Sequence, residues 1–141
     1  MTDSLRSALV DKIIKLEQYL NELKEAKPGD YSQYISRKMT RYGIERLLQL
    51  IVDQALDINN IIIKDMGRPP AADYFNSFIE LVEIAVLDEE FAYQIAPSTG
   101  LRNRLVHEYE KINNRIVYDS IDKTYDYYIK YMKRIAEYIG L

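Results

Sequence analysis

The residues best equipped for chemistry are gathered between positions 101 and 111, which read Leu-Arg-Asn-Arg-Leu-Val-His-Glu-Tyr-Glu-Lys. His107 is the single histidine of the chain, and an imidazole is the side chain most able to exchange a proton near neutral pH. Arg102, Arg104 and Lys111 surround it with positive charge, and Asn103 adds an amide. Guanidinium groups meet phosphoryl oxygens with paired donors, while neighbouring positive charge favours the neutral imidazole, the form that accepts a proton. The constellation suits an anionic ligand such as a phosphodiester.

On a straight helix each residue advances by about 100°. His107, Asn103, Arg104 and Lys111 then share one face; Leu101, Leu105, Val106 and Tyr109 lie opposite, with Arg102 among them. An arginine in an apolar arc needs a partner or an escape to solvent, and a cleft between two subunits would supply the partner. Arg102 and His107 stand roughly 140° apart on such a helix. One ligand therefore reaches both only if the helix bends near Gly100 or if two subunits converge on one groove, and the second arrangement predicts a homodimer. The plain alternative is a surface histidine among solvated charges. Composition and spacing alone leave both readings open.

The elements that must hold this segment are legible as helical stripes. Leu9, Ile13, Leu16, Leu20 and Leu23 step by four and three residues until Lys27-Pro28-Gly29-Asp30 stops them. A longer stripe runs through Ile44, Leu48, Ile51, Ala55, Ile58 and Ile62 and ends at Gly67-Arg68-Pro69-Pro70. Asp73 is placed to cap a third helix bearing Phe75, Phe78, Leu81, Val82 and Ala85, and Asp88, followed by Glu89 and Glu90, to start another. Pro97-Ser98-Thr99-Gly100 breaks or kinks the chain before Leu101. The last stripe carries Tyr118, Ile121, Tyr125, Tyr128, Met132, Ile135 and Tyr138. This pattern predicts an all-α, up-and-down antiparallel helical bundle of about four to six helices, with residues 1–141 as one domain.

Several function classes are excluded. The chain has no cysteine, which removes disulfides, thiolate metal sites and a cysteine nucleophile and agrees with a cytoplasmic location. One histidine cannot build a zinc site that needs two imidazoles, no glycine-rich phosphate loop or nucleophile elbow is present, and no metal or other cofactor is expected. No apolar run reaches a membrane-spanning length. A net charge of −3 argues against a sequence-blind coat for nucleic acid, which is ordinarily basic, yet leaves room for an enzyme that touches a few phosphates.

The spelling Arg102-Asn103-x-x-x-x-His107 resembles the motif of the HEPN superfamily, and its extension to Tyr109 resembles the Arg-x4-His-x-Tyr motif of the HepT toxins of HEPN–MNT toxin–antitoxin pairs. Arg41-Tyr42-Gly43-Ile44-Glu45-Arg46 with the following Leu-Leu-Gln-Leu is similar to the family's second helix, Gly67-Arg68-Pro69-Pro70 with Tyr74 to its helix break, and Val117-Tyr118 completes the order. The likeness runs over residues 5–138. It implies a metal-independent endoribonuclease acting as a homodimer on tRNA or mRNA, with tRNA favoured. His107 would be general base on a ribose 2′-hydroxyl, and Arg102 would stabilise the scissile phosphate. Asn103 would orient Arg102 or the RNA, and Arg104 and Lys111 fall beside them as phosphate contacts. It further implies an MntA-like nucleotidyltransferase antitoxin that transfers AMP to Tyr109. Two rival readings stand beside it: a catalytically silent HEPN dimer that binds substrate or nucleotide for a nucleotidyltransferase, and a plain helical interaction module.

Overall fold

A computed structural model describes all residues 1–141. Three long helices set the frame: α1 (Asp3–Ala26), α3 (Lys38–Asp65) and α7 (Asn114–Tyr138). Between them lie α2 (Tyr31–Ser36), α4 (Tyr74–Glu83), α5 (Glu89–Ile95), α6 (Ser98–His107) and a 3-10 turn at Tyr109–Lys111. Helices of ten or more residues are α1, α3, α4, α6 and α7; α2 and α5 are short connectors. The result is the all-α up-and-down bundle that the stripes predict.

Capping chemistry explains where most helices begin. Asp30, Asp73 and Asp88 each accept a hydrogen bond from the backbone N–H three residues on, and Asn113 does the same for α7. Gly67, at φ 72°, takes the left-handed geometry that ends α3. One expectation fails here: α4 stops at Glu83, and Ala85 lies beyond it at φ 59°, exposed. Ala85 is therefore no part of the apolar stripe, because the chain must reverse there to enter α5.

One cluster of 31 buried apolar residues forms the core. α1 lies against both α3 and α7. It runs antiparallel to α7: Arg6 Nε donates to the Ile139 carbonyl at one end, and Lys27 pairs with Asp122 at the other. A buried polar clip ties α3, α4 and α7 together. The Tyr131 hydroxyl lies 2.5 Å from Asn59 Oδ1 and 3.1 Å from the Ala55 carbonyl. Asn59 Nδ2 donates to Ser77 Oγ, which donates to the Tyr74 carbonyl. The helix that carries Tyr74 is thereby fixed to the core.

Truncating this clip gives a stability test. Tyr131→Phe keeps the ring but leaves the fully buried Asn59 carbonyl without its donor, so it is expected to destabilise the fold by about 1–3 kcal/mol. Urea unfolding should show a lower midpoint at an unchanged slope; an unchanged midpoint would refute the assignment.

Candidate active site

The site is built on one row of α3. Glu45, Gln49 and Asp53 follow one another at four-residue intervals, so they form a ridge, and Glu45 and Asp53 are separated by about 12 Å along the axis. α6 and the 3-10 turn run antiparallel along that ridge. Asp53 holds Arg102 at its upper end, and Glu45 holds Tyr109 at its lower end. Leu101 and Leu105 are buried and provide the apolar part of the seam. The start of α6 is fixed from α7, where Ser98 Oγ and Tyr128 Oη lie 2.6 Å apart.

Arg102 is the most constrained of the polar side chains. Its Nε donates to Asp53 Oδ1 at 2.7 Å, and its Nη1 donates to Asn103 Oδ1 at 3.3 Å. The Tyr74 ring faces the guanidinium carbon at 5.2 Å. Only 14% of the Arg102 side chain is exposed, so its orientation is fixed by an ion pair, an amide and an aromatic face. The cleft between subunits invoked as its partner is thus replaced by Asp53 of the same chain. A guanidinium held along one edge keeps its remaining N–H donors aligned for a planar or tetrahedral oxyanion.

His107 is the last residue of α6, and its exposed side chain makes no hydrogen bond inside the chain. Asn103 is half-buried and Arg104 exposed on the same helix. The face expected to join His107 with Asn103, Arg104 and Lys111 is realised for the first three alone. α6 does not continue to residue 111: Glu108 adopts φ −132° and ψ 38°, and Tyr109–Lys111 form a separate turn closed by the Ile112 N–H on the Tyr109 carbonyl. Lys111 is exposed on that turn, off the helical face. Val106, assigned to the apolar arc, is 37% exposed, whereas α6 buries Thr99, Leu101 and Leu105.

The turn carries Tyr109 to Glu45. The Tyr109 hydroxyl donates to Glu45 Oε1 at 2.5 Å. Partial burial of the phenol, and then the carboxylate beside it, push the hydroxyl up to about 12. Glu45 itself is only 5% exposed.

Asp53 and the pairing role of Glu45 were not read from the sequence. The available signal was the row itself: Glu45 and Asp53 each sit next to an apolar residue of the core face, Ile44 and Val52, and carboxylates at the edge of a core face are rare unless paired. Tyr74 entered only with the helix break, and the structure gives it a place over Arg102.

Comparison with known proteins gives this geometry a context. The family described as HepT-like ribonuclease matches over residues 16–135. A tRNA nuclease HepT of Aphanizomenon flos-aquae (strain 2012/KM1/D3) is 39% identical over 122 residues, covering 86% of this chain and 83% of the relative. Among solved structures, a tri-AMPylated Shewanella oneidensis HEPN toxin in complex with MNT antitoxin superposes with a TM-score of 0.84 at 20% identity, covering 97% and 99% of the two chains. YutE of Bacillus subtilis, a cytosolic protein of unknown function, superposes at 0.81 with 20% identity over 95% and 90%. At such identities these structures establish the shared all-helical HEPN fold. The family match and the 39% relative, together with the intact Arg102-Asn103-x-x-x-x-His107 motif on that fold, place this chain in the HepT-like ribonuclease family.

Proposed function

We propose that this chain is the ribonuclease toxin of a HEPN–MNT toxin–antitoxin system, a single-domain cytoplasmic protein that cleaves RNA without a metal ion. The observation that carries the reading is the state of Arg102: a guanidinium pre-aligned by Asp53, Asn103 and Tyr74 on the same helix as an exposed, unpaired His107. His107 takes the proton of a ribose 2′-hydroxyl as its oxygen attacks the adjacent phosphorus. The bond to the 5′-oxygen breaks, leaving a 2′,3′-cyclic phosphate. Arg102 donates to the phosphoryl oxygens, where negative charge accumulates in the transition state, and Asn103 keeps it oriented. Arg104 and Lys111 contact flanking phosphates, and the need for a 2′-hydroxyl directs the enzyme to RNA rather than DNA. tRNA is the favoured substrate, as printed for the 39% identical relative, with mRNA the alternative.

Two subunits complete the site. Within one chain Arg102 turns inward to Asp53 while His107 faces solvent at the end of α6, so a homodimer that sets two α6 segments face to face brings both groups to one groove. The partner is an MntA-like nucleotidyltransferase antitoxin, which transfers AMP to Tyr109. The added phosphates repel RNA and obstruct the groove, by the logic that governs phosphorylation.

The catalytic reading is tested with purified protein in excess EDTA, where RNA cleavage is expected to persist. His107→Ala should abolish cleavage while the fold and dimer survive. Arg102→Ala should lose more activity than Arg104→Ala, by about a hundredfold or more for the loss of a transition-state donor. Full cleavage by the His107 variant, or equal effects of the two arginines, would refute the assignment and favour a silent HEPN dimer.

The modification reading is tested by incubating the protein with its MntA-like partner and ATP. Intact mass and peptide mapping should place AMP on the peptide that contains Tyr109, with RNA cleavage lost in parallel. AMP found only on another tyrosine would overturn the role of Tyr109.

A further inference from the structure

Glu45 is an unusual residue to find under a surface turn. It sits on α3 against the core at 5% exposure. One carboxylate oxygen, Oε1, accepts from Tyr109 at 2.5 Å, and the other, Oε2, is buried with no hydrogen-bond partner. Arg41, one turn earlier on α3, has a buried Nε that is likewise unpartnered, as is the hydroxyl of Tyr34 on α2. Buried polar atoms without partners are rare in native proteins, because each forfeits its hydration for nothing in return. Merely holding the Tyr109 hydroxyl would require only a neutral acceptor. A carboxylate oxygen in that place can also take the proton that the hydroxyl gives up.

The surroundings agree. Tyr109 is 44% exposed, and its side chain borders an open pocket of about 220 Å³ walled by Tyr42, Glu45, Arg46, Gln49 and Leu105. Arg46 is an exposed cation on that wall, able to draw a phosphate toward the tyrosine. The charged and titratable groups around Glu45 are Tyr34 on α2, Arg41, Tyr42 and Arg46 on α3, and Tyr109 on the turn.

We propose that Glu45 is the general base for nucleotidyl transfer to Tyr109. The inference rests on the reading of Tyr109 as the modified residue. As Tyr109 Oη bonds to the α-phosphorus of a nucleoside triphosphate, its proton passes to Glu45 Oε1. The bond from the α-phosphorus to the bridging oxygen breaks, and pyrophosphate leaves with the electron pair. A phenol is almost wholly un-ionised at neutral pH, so the step calls for an acceptor already in place, and Glu45 Oε1 is within hydrogen-bond distance. The product also accounts for the burial: esterified Tyr109 can no longer donate, but protonated Glu45 is neutral, and no unpaired anion is left in the core.

The test compares wild type, Glu45→Gln and Glu45→Asp, each incubated with the MntA-like partner and ATP, following AMP on Tyr109 by mass from about pH 6 to 9. Circular dichroism and the oligomeric state verify the fold. The Gln variant should be modified about a hundredfold or more slowly. Its rate relative to wild type should climb with pH as free phenolate replaces the missing base, and this ratio cancels the partner's own pH response. The Asp variant, with its carboxylate withdrawn, should be slowed but keep the wild-type pH profile. If Glu45→Gln fails to fold, the Asp variant decides: a reduced rate supports the base, and an undiminished one overturns it. Wild-type rates in Glu45→Gln with a flat ratio overturn the role of Glu45 alone. No AMP on wild-type Tyr109 overturns the modification reading and the base with it.

Discussion

The ion pair between Asp53 and Arg102 is the contact on which the rest of the site depends. Removing a guanidinium and a carboxylate from water is expensive unless each satisfies the other, and here the pair is supplemented by Asn103 and the Tyr74 ring. The pair docks α6 onto α3 and at the same time sets the plane of the guanidinium. Seven residues later the Tyr109–Glu45 bond repeats the device on the same ridge. The motif segment is therefore pinned at both ends, and His107 between the pins is left in solvent. In the proposed mechanism a rigid arginine beside a free imidazole divides the labour: the first holds charge in a fixed place, and the second accepts and releases a proton.

The sequence was most informative where structure is local. The stripes of α1 and α3 and the caps at Asp73 and Asp88 depend on residues three or four apart, and the structure reproduces them. On α7 it buries Ile121, Tyr128 and Ile135 of the stripe, leaves Tyr118, Tyr125, Met132 and Tyr138 half-buried, and turns Val117, Thr124 and Tyr131 inward instead. The end of α6 was not legible in that way. Helical periodicity carries Tyr109 and Lys111 smoothly onward, whereas the chain leaves the helix at Glu108 to bring Tyr109 to a carboxylate 64 residues earlier. The partner of Arg102 is 49 residues away and equally invisible to periodicity, so from the sequence alone Arg102 can be satisfied only by solvent or by a second subunit. Ala85 is a smaller case of the same kind: its apolar side chain fits the stripe, but the reversal into α5 demands a left-handed residue there.

The tyrosines divide along similar lines. Of the 13 in the chain, Tyr34, Tyr128 and Tyr131 are fully buried, and Tyr118 is stacked on Tyr31 and Tyr34. Their helical spacing therefore reports packing, with the polar tips of Tyr128 and Tyr131 satisfied by Ser98 and Asn59. Tyr109 alone combines an exposed ring with a carboxylate-bound hydroxyl, a distinction made by position in the fold and not by residue type. The fold itself survives wide divergence: a TM-score of 0.84 at 20% identity is what a core selected for apolar volume and pattern allows.

If Asp53 gives Arg102 the orientation that the proposed mechanism requires, the single-turnover rate of RNA cleavage by Asp53→Asn reads it out. The amide preserves shape but removes the charge that fixes Nε. The rate is expected to fall by about a hundredfold, as a misplaced transition-state donor requires, while circular dichroism and dimerisation are unchanged. A variant that folds, pairs and cleaves RNA at the wild-type rate would show that Arg102 works without this anchor.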